Sequence, residues 1–419
     1  MKYKTYNCNS FNIYTIKTDR FKTSHLEVIF KNVLKKEEIG TYSFLADILS
    51  EGCKKYPRKK DLITRFEELY KIVIYASTIR VGNVIDLHVS LDFINPEYIE
   101  DEGYIEDVIK TLFEVINNPN VCNDEFDLKT FNIVKERLRR EINSLKENPV
   151  KQSIKEAIKT MDSNSPTSYE ILGTIEELEN ITPAKLYDAY KSLRKNFKVD
   201  VFLIGNLDMD NVASLIKKYF KNRYIVSDNF EVMVDNKETK KVKVKAMKSD
   251  NIQTNLVMLF NLKNLSELEK NITLNCFNYL YGSGGLTSKL YKSIREENSL
   301  CYAINSMYLK YDKLLMVQIS LDNCNVKKAI SLVKKELKSM QNGNFSEEEV
   351  KDAINNMVIS LDMSLDNNIA ILNNYVFNIY DKLPSIEERK EYFKKLTKED
   401  IVNVSKKVKL NTIFTLEGR

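Results

Sequence analysis

The sequence predicts an α+β protein of two homologous domains, each an antiparallel-rich sheet with helices packed on one face, arranged as a clamshell. Three observations predict it. The chain has 419 residues, more than one hydrophobic core ordinarily organises. One succession of elements occurs twice: strand, helix pair, strand pair, helices, strand. The connections between strands are long and helix-rich, which favours helices layered on a sheet. A polar, turn-rich stretch, residues 226–242, divides the halves and reads as a linker between domains 1–225 and 243–419.

In the first half, Asn12 to Lys17 alternates in character and reads as a strand. His25 to Val33 is a second strand, with Leu26, Val28 and Phe30 on one side. Glu37 to Gly52 is a helix whose buried stripe is Phe44, Leu45, Ile48 and Leu49, with Gly52 as its stop signal. A second helix covers Lys60 to Tyr70. Ile72–Ile79 and Val84–Leu91 are strands of a hairpin that turns at Arg80-Val-Gly-Asn. Helical periodicity then marks Ile105–Phe113, Phe131–Leu145 (stopped by Pro149), Val150–Met161 and Ala184–Leu193. Val199 to Ile204 is a strand, and Met209 to Phe220 an amphipathic helix.

In the second half, Thr254 to Asn261 is a strand and Ser266 to Tyr281 a helix. The turn Gly282-Ser-Gly-Gly285 follows, where glycine allows positive φ and close approach of another chain. Leu286, Leu290 and Ile294 recur four apart, one face of a helix that ends at Arg295, where a cation suits the dipole. Cys301–Leu309 and Leu314–Leu321 are paired strands. Val326 to Met340 is a helix, Ser346 caps the next, and helices continue to Tyr380. Lys398 to Lys406 is helical and Asn411–Leu416 is the last strand.

Composition excludes several function classes. Hydrophobic residues are 43% and charged residues 29%, a globular balance. The 64 basic and 59 acidic residues nearly cancel and are interspersed, which is no nucleic-acid footprint. The densest basic stretch, Lys54, Lys55, Arg58, Lys59 and Lys60, surrounds Pro57 between two helices and reads as a solvated connection. The N-terminal residues have no apolar h-region, so no secretory signal is expected. No apolar run approaches the ~18 residues that span a bilayer. Cys8, Cys53, Cys122, Cys276, Cys301 and Cys324 form no Cys-x-x-Cys pair and fit free thiols in a reducing cytoplasm. Neither a phosphate-binding G-x-x-x-x-G-K-[ST] loop nor a G-x-S-x-G nucleophile elbow is present.

The order of glycine turn, helix, Arg295, a seven-residue step and Tyr302 on a strand resembles the second-half segment of insulinase/pitrilysin-type zinc peptidases. The resemblance covers essentially the whole chain and is closest to the short branch of that superfamily. In the family the Arg–Tyr pair grips substrate backbone opposite the metal. The resemblance therefore implies substrate binding by Arg295 and Tyr302, with Gly284 and Gly285 in the adjoining turn.

Family members also carry H-x-x-E-H on a helix, where two His bind Zn²⁺ and the Glu serves as general base. Here the frame from Gly40 to Pro57 is intact, but the motif positions fall on Ser43, Ala46 and Asp47. Serine is a poor zinc ligand, alanine cannot move a proton, and Asp47 alone cannot replace two imidazoles. Glu141 matches the family's distal ligand and shares a helical face with Val134, Leu138 and Leu145. Val134 stands where an acidic residue lies one heptad earlier. The chain has two His, His25 and His88, on separate strands.

The resemblance thus implies no metal and no catalytic residue in this chain, Ser43, Ala46, Asp47 and Glu141 being degenerate metal-site positions. It implies a zinc-less, substrate-binding subunit of a heterodimeric peptidase, not active alone. That subunit orients a peptide for cleavage by a zinc-bearing H-x-x-E-H partner. The alternative is a non-enzymatic peptide-binding or scaffold protein of the same fold, like the core subunits of respiratory complexes.

Overall fold

Strands build two large sheets, beside a two-stranded ribbon of Val121–Cys122 and Glu125–Phe126, in the computed structural model, which describes residues 2–222, 224–227, 229–237 and 239–419. Met1 and Arg223 of the expected first domain, and Asp228 and Glu238 of the expected linker, lie outside the described residues. The first sheet has the order Lys2–Asn7, Asn12–Lys17, Lys198–Gly205, Thr23–Val33, Val84–Ile94, Val73–Val81. Its pairs are antiparallel except that Asn12–Lys17 runs parallel to Lys198–Gly205. The second sheet has the order Cys301–Leu309, Leu314–Leu321, Thr254–Leu262, Val408–Glu417, Lys243–Lys248. Only its last pair is parallel. From the hairpin edge inward the two orders coincide: a hairpin, the strand before it in the chain, the closing strand of that half, then a parallel strand. The duplication lies in the topology itself.

One face of each sheet carries the main helical layer. Leu26, Val28, Phe30, Leu87, Val89 and Val201 meet Phe44, Leu45, Leu112, Leu186 and Ile216 from the helices Ile39–Leu49, Tyr104–Asn117, Pro183–Asn196 and Met209–Tyr219. Leu256, Met258, Phe260, Val317 and Ile319 meet Phe277, Leu290, Ile294, Val333 and Ile401 in the second. Each fully buried Leu, Ile or Phe contributes about 1.5–3 kcal/mol.

The opposite faces are not bare. On the first sheet, the helix Asn368–Asp381 lays Ile371, Leu372 and Val376 against Ile16, Ile29, Phe202 and Ile204. On the second, Pro149–Asp162 lays Ala157, Ile158 and Met161 against Val257, Leu259, Met316, Phe414 and Leu416. Each half of the chain therefore lends one helix to the other half's sheet. The chain divides into a unit of residues 1–143, 169–232 and 365–380 and a unit of residues 144–168, 233–364 and 381–419.

Two edge strands and one side chain are among the differences from expectation. Lys2–Asn7 and Lys243–Lys248 are strands with no forewarning in the apolar pattern, because both are sheet edges with largely exposed side chains. Leu286 does not join the buried stripe and is 63% exposed, whereas Leu290 and Ile294 are buried. Gly285 has φ 58° and opens a tight turn, Gly285–Thr287, so Leu286 precedes the helix that ends in the wide turns Tyr291–Glu296. Among the described residues no helix is long and apolar enough to cross a membrane.

Candidate functional site

The helix Ile39–Leu49 is nearly all buried. Gly40 lets it approach Gly173 closely, since a Cβ there would stand 3.1 Å from the Gly173 Cα. Ser43 faces inward, its hydroxyl 2.6 Å from Thr78 Oγ1 and donating to the Ile171 carbonyl. Ala46 is buried. Asp47 lies at the helix surface, its Oδ2 3.4 Å from Arg137 Nη2, while Arg137 Nη1 donates to Glu51 Oε1 at 2.8 Å. Burial pushes the Asp47 carboxyl up, the nearby Arg137 opposes this, and the charges of Glu141 and Glu51 add to the rise. Glu141 is exposed; the buried stripe of Leu128–Glu147 runs through Val134, Leu138 and Ile142, and Leu145 is not part of it. The i, i+4 spacing from Leu138 reaches Ile142, which takes the place expected for the Glu141 face.

These positions do not fit zinc. A hydroxyl bound to its neighbours, a methyl group and a carboxylate facing a guanidinium offer no imidazole set. Among the described residues no group of three or more His, Cys, Asp or Glu is placed to hold a metal ion. His25 and His88 serve the first sheet instead, with Nδ1 atoms 2.7 Å from Asp92 Oδ1 and 2.8 Å from Glu27 Oε1.

The Arg–Tyr region belongs to the second unit. A Cβ on Gly282 would come 2.6 Å from Ser306 Oγ, and one on Gly284 2.7 Å from the Tyr279 carbonyl oxygen. Those two glycines are close-approach residues, whereas Gly285 supplies positive φ beside open space. Arg295 is exposed, its guanidinium 5.1 Å from the centre of the Tyr291 ring one turn earlier. Tyr302 is the extra residue of a β-bulge: Cys301 pairs with Leu321 and Ala303 with Ser320. Bulges re-aim a side chain out of the regular pleat, and Tyr302 is 55% exposed. Its hydroxyl donates to Asp322 Oδ1 at 3.2 Å, and that bond to a carboxylate raises the phenol above its ordinary value.

Asp322 escaped the sequence reading. The hairpin register alone would not have found it: Leu321 sits opposite Cys301, which sets Asp322 beyond the end of the pairing, and the contact is made by the reach of the bulged Tyr302 side chain. Chemically the region offers guanidinium N–H donors suited to carbonyl oxygens, beside a phenol whose single O–H is engaged by Asp322.

Residues 180–357 match the family described as "Peptidase M16 inactive domain". "Probable inactive metalloprotease YmfF" of Bacillus subtilis (strain 168) is 26% identical over 412 residues, 96% of this chain and 95% of that one. A conserved protein from Enterococcus faecalis V583 superposes with a TM-score of 0.94 at 22% identity, covering 100% of this chain and 99% of its own. A peptidase M16 inactive domain from Pseudomonas fluorescens superposes at 0.82 with 16% identity, covering 100% and 99%. The two structural likenesses bear on the fold alone. The duplicated topology agrees with those folds, and the motif positions hold residues that are not zinc ligands. The chain is a homologue of the insulinase/pitrilysin (M16) peptidases that lacks their zinc motif.

Proposed function

We propose that this chain is the cytoplasmic, zinc-less, substrate-binding subunit of a heterodimeric insulinase-type peptidase, with domains 1–225 and 243–419 joined by 226–242. One observation carries the reading. Arg295 and Tyr302 stand exposed, the Tyr302 hydroxyl held by Asp322, while Ser43, Ala46 and Asp47 are packed or paired as non-ligands. Their work is to hydrogen-bond peptide carbonyls and so orient the scissile bond for a zinc-bearing H-x-x-E-H partner. The open space beside Gly285 lets peptide backbone come close.

Affinity purification from the native host tests the partnership: an H-x-x-E-H chain co-elutes. In the complex, Arg295→Ala lowers peptide cleavage by about 10²–10³, the cost of one lost donor to developing oxyanion charge. Undiminished cleavage would overturn the role.

A second reading, a non-enzymatic peptide-binding or scaffold protein, is favoured by the word "inactive" in the printed name of the Bacillus relative. It is distinguished by co-elution with chains that lack H-x-x-E-H and by a complex without peptidase activity.

A further inference from the structure

One cavity of the second unit has two lining residues in backbone that side chains rarely adopt. It encloses about 380 Å³, within the range of small-molecule sites. Asn264, in the loop after Thr254–Leu262, has φ 49°; Lys313, closing the hairpin turn before Leu314–Leu321, has φ 50°. Asparagine is enriched in the left-handed region, but lysine is not, and glycine would sit there without strain. A lysine held in strained backbone on a cavity wall is an outlier that points to a use for its side chain.

The wall is polar. Lys263, Lys270 and Lys313 supply three ammonium groups against the one carboxylate of Asp235, a net charge of +2, and Asn236 and Asn261 add carboxamides. The acids that pair with two of these lysines lie in solvent. Lys313 Nζ is 2.5 Å from Asp235 Oδ1, whose side chain is 90% exposed, and Lys270 Nζ is 2.6 Å from Glu267 Oε1, 73% exposed. Pairs so exposed contribute little, so another anion can compete for the same lysines.

The floor and the supports are fixed. Asn261 is 6% exposed, and its Oδ1 accepts from Asn411 Nδ2 at 3.2 Å. Among the described residues its Nδ2 makes one bond, 3.4 Å to the Lys237 carbonyl, which leaves one of its two N–H donors over. Asn236 Nδ2 donates to the Asp312 carbonyl at 2.6 Å, and Asn236 Oδ1 accepts from buried Ser165 Oγ at 2.7 Å. Lys407 Nζ fastens the loop by donating to the Asn264 carbonyl at 2.8 Å. The cavity is thus pre-formed, with a lining rich in donors and cations.

From this geometry we infer that the cavity binds a small organic dianion, a dicarboxylate or a phosphate monoester. Two negative charges balance the lining, and the Asn261 amide and the lysines donate to its oxygens. Asp235 and the anion compete for Lys313. Among the described residues no aromatic ring lines the cavity to stack a base, and its volume is near the small end for ligand sites, so a nucleotide fits poorly. The inference does not rest on the function proposed above.

The test uses the full chain, with succinate and glycerol 3-phosphate as probes. Sodium chloride at equal ionic strength is the blank, and succinamide the neutral analogue. Calorimetric titration shows saturable binding of at least one dianion, and the liganded protein melts higher. Which probe binds decides between carboxylate and phosphate, and succinamide does not bind. Lys313→Gly places glycine at the positive φ, so the unliganded thermal midpoint holds or rises while binding weakens at least about tenfold. Lys270→Gln weakens binding too, and Asp235→Asn, which removes the competitor, tightens it. The proposal is overturned if neither dianion binds above the salt blank, if succinamide binds equally, or if Lys313→Gly binds as tightly as wild type. Should Lys313→Gly fail to fold, Lys270→Gln and Asp235→Asn decide, and unchanged affinity in either overturns it.

Discussion

The two units share a strand order and fill the second face of the sheet with different chemistry. In the first, Lys31 Nζ lies 2.6 Å from Asp200 Oδ2 with both side chains almost wholly out of solvent. The Lys31 ammonium also stands 5.1 Å over the Tyr380 ring, and the Tyr380 hydroxyl donates to Asp86 Oδ2 at 2.5 Å. His88, Glu27 and Ser90 extend this network. In the second unit the matching face holds neutral Asn255, Gln318 and Ser320 beside the apolar seat of Pro149–Asp162. A common topology fixes where strands lie, not whether the space beneath a covering helix is ionic or neutral. Charges buried in pairs specify their partners sharply, because each is costly if left alone.

The largest test of that contrast is Lys31→Ala, which strands Asp200 and lowers stability by about 3–5 kcal/mol in urea unfolding. The matching neutral change, Asn255→Ala, costs about 1 kcal/mol; equal losses would erase the distinction. Leu372→Ala, in the helix lent to the first sheet, costs about 2–5 kcal/mol. Met161→Ala, in the helix lent to the second, falls in the same range, so a negligible loss at either site would break the symmetry of the exchange.

The Glu27–His88 pair sharpens the comparison through pH. Burial is the largest influence and disfavours the His88 imidazolium, but the bond to Glu27 together with the charges of Glu27 and Asp86 outweighs it and raises the His88 pKa above 6.5. Burial likewise is the largest influence on Glu27 and opposes its carboxylate, yet His88, His25 and Ser90 together outweigh it and hold Glu27 below 4.5. The His88 contribution is full below 6.5 and is lost as pH rises through its folded value. The Glu27 contribution is full above 4.5 and is lost as pH falls through its folded value. Both are therefore complete between 4.5 and 6.5. His88→Gln removes this bell-shaped part of the stability profile, about 1.5–3 kcal/mol, and the profile of wild type against variant checks it. The smallest effect is expected at the degenerate motif: Asp47→Asn changes stability by less than about 0.5 kcal/mol at neutral pH. Arg137 keeps Glu51, and the carboxylate it loses is one that burial disfavours.

Helices and inner strands were legible because burial writes period into them. The inner strand Leu314–Leu321, and the edge strand Cys301–Leu309 paired with it, occur at the residues expected of them. Lys2–Asn7 and Lys243–Lys248 were not legible, since a strand exposed on both faces needs no apolar alternation and forms through backbone pairing. Nor does helical periodicity say which sheet a helix covers, so Pro149–Asp162 and Asn368–Asp381 read as ordinary members of their own halves. At the site, Ser43, Ala46, Asp47, Arg295 and Tyr302 were found by motif frame. Arg137 and Asp322, which engage Asp47 and Tyr302, come from distant or adjoining elements and follow only from tertiary register.

The exchange of helices makes the chain resist division. A polypeptide ending near residue 225 would carry Pro149–Asp162 with no seat for it, and would leave Ile16, Ile29, Phe202 and Ile204 wet. The remaining piece would have the mirror-image defect. Severed halves would thus be sticky and incomplete apart, and each would be the natural chaperone of the other.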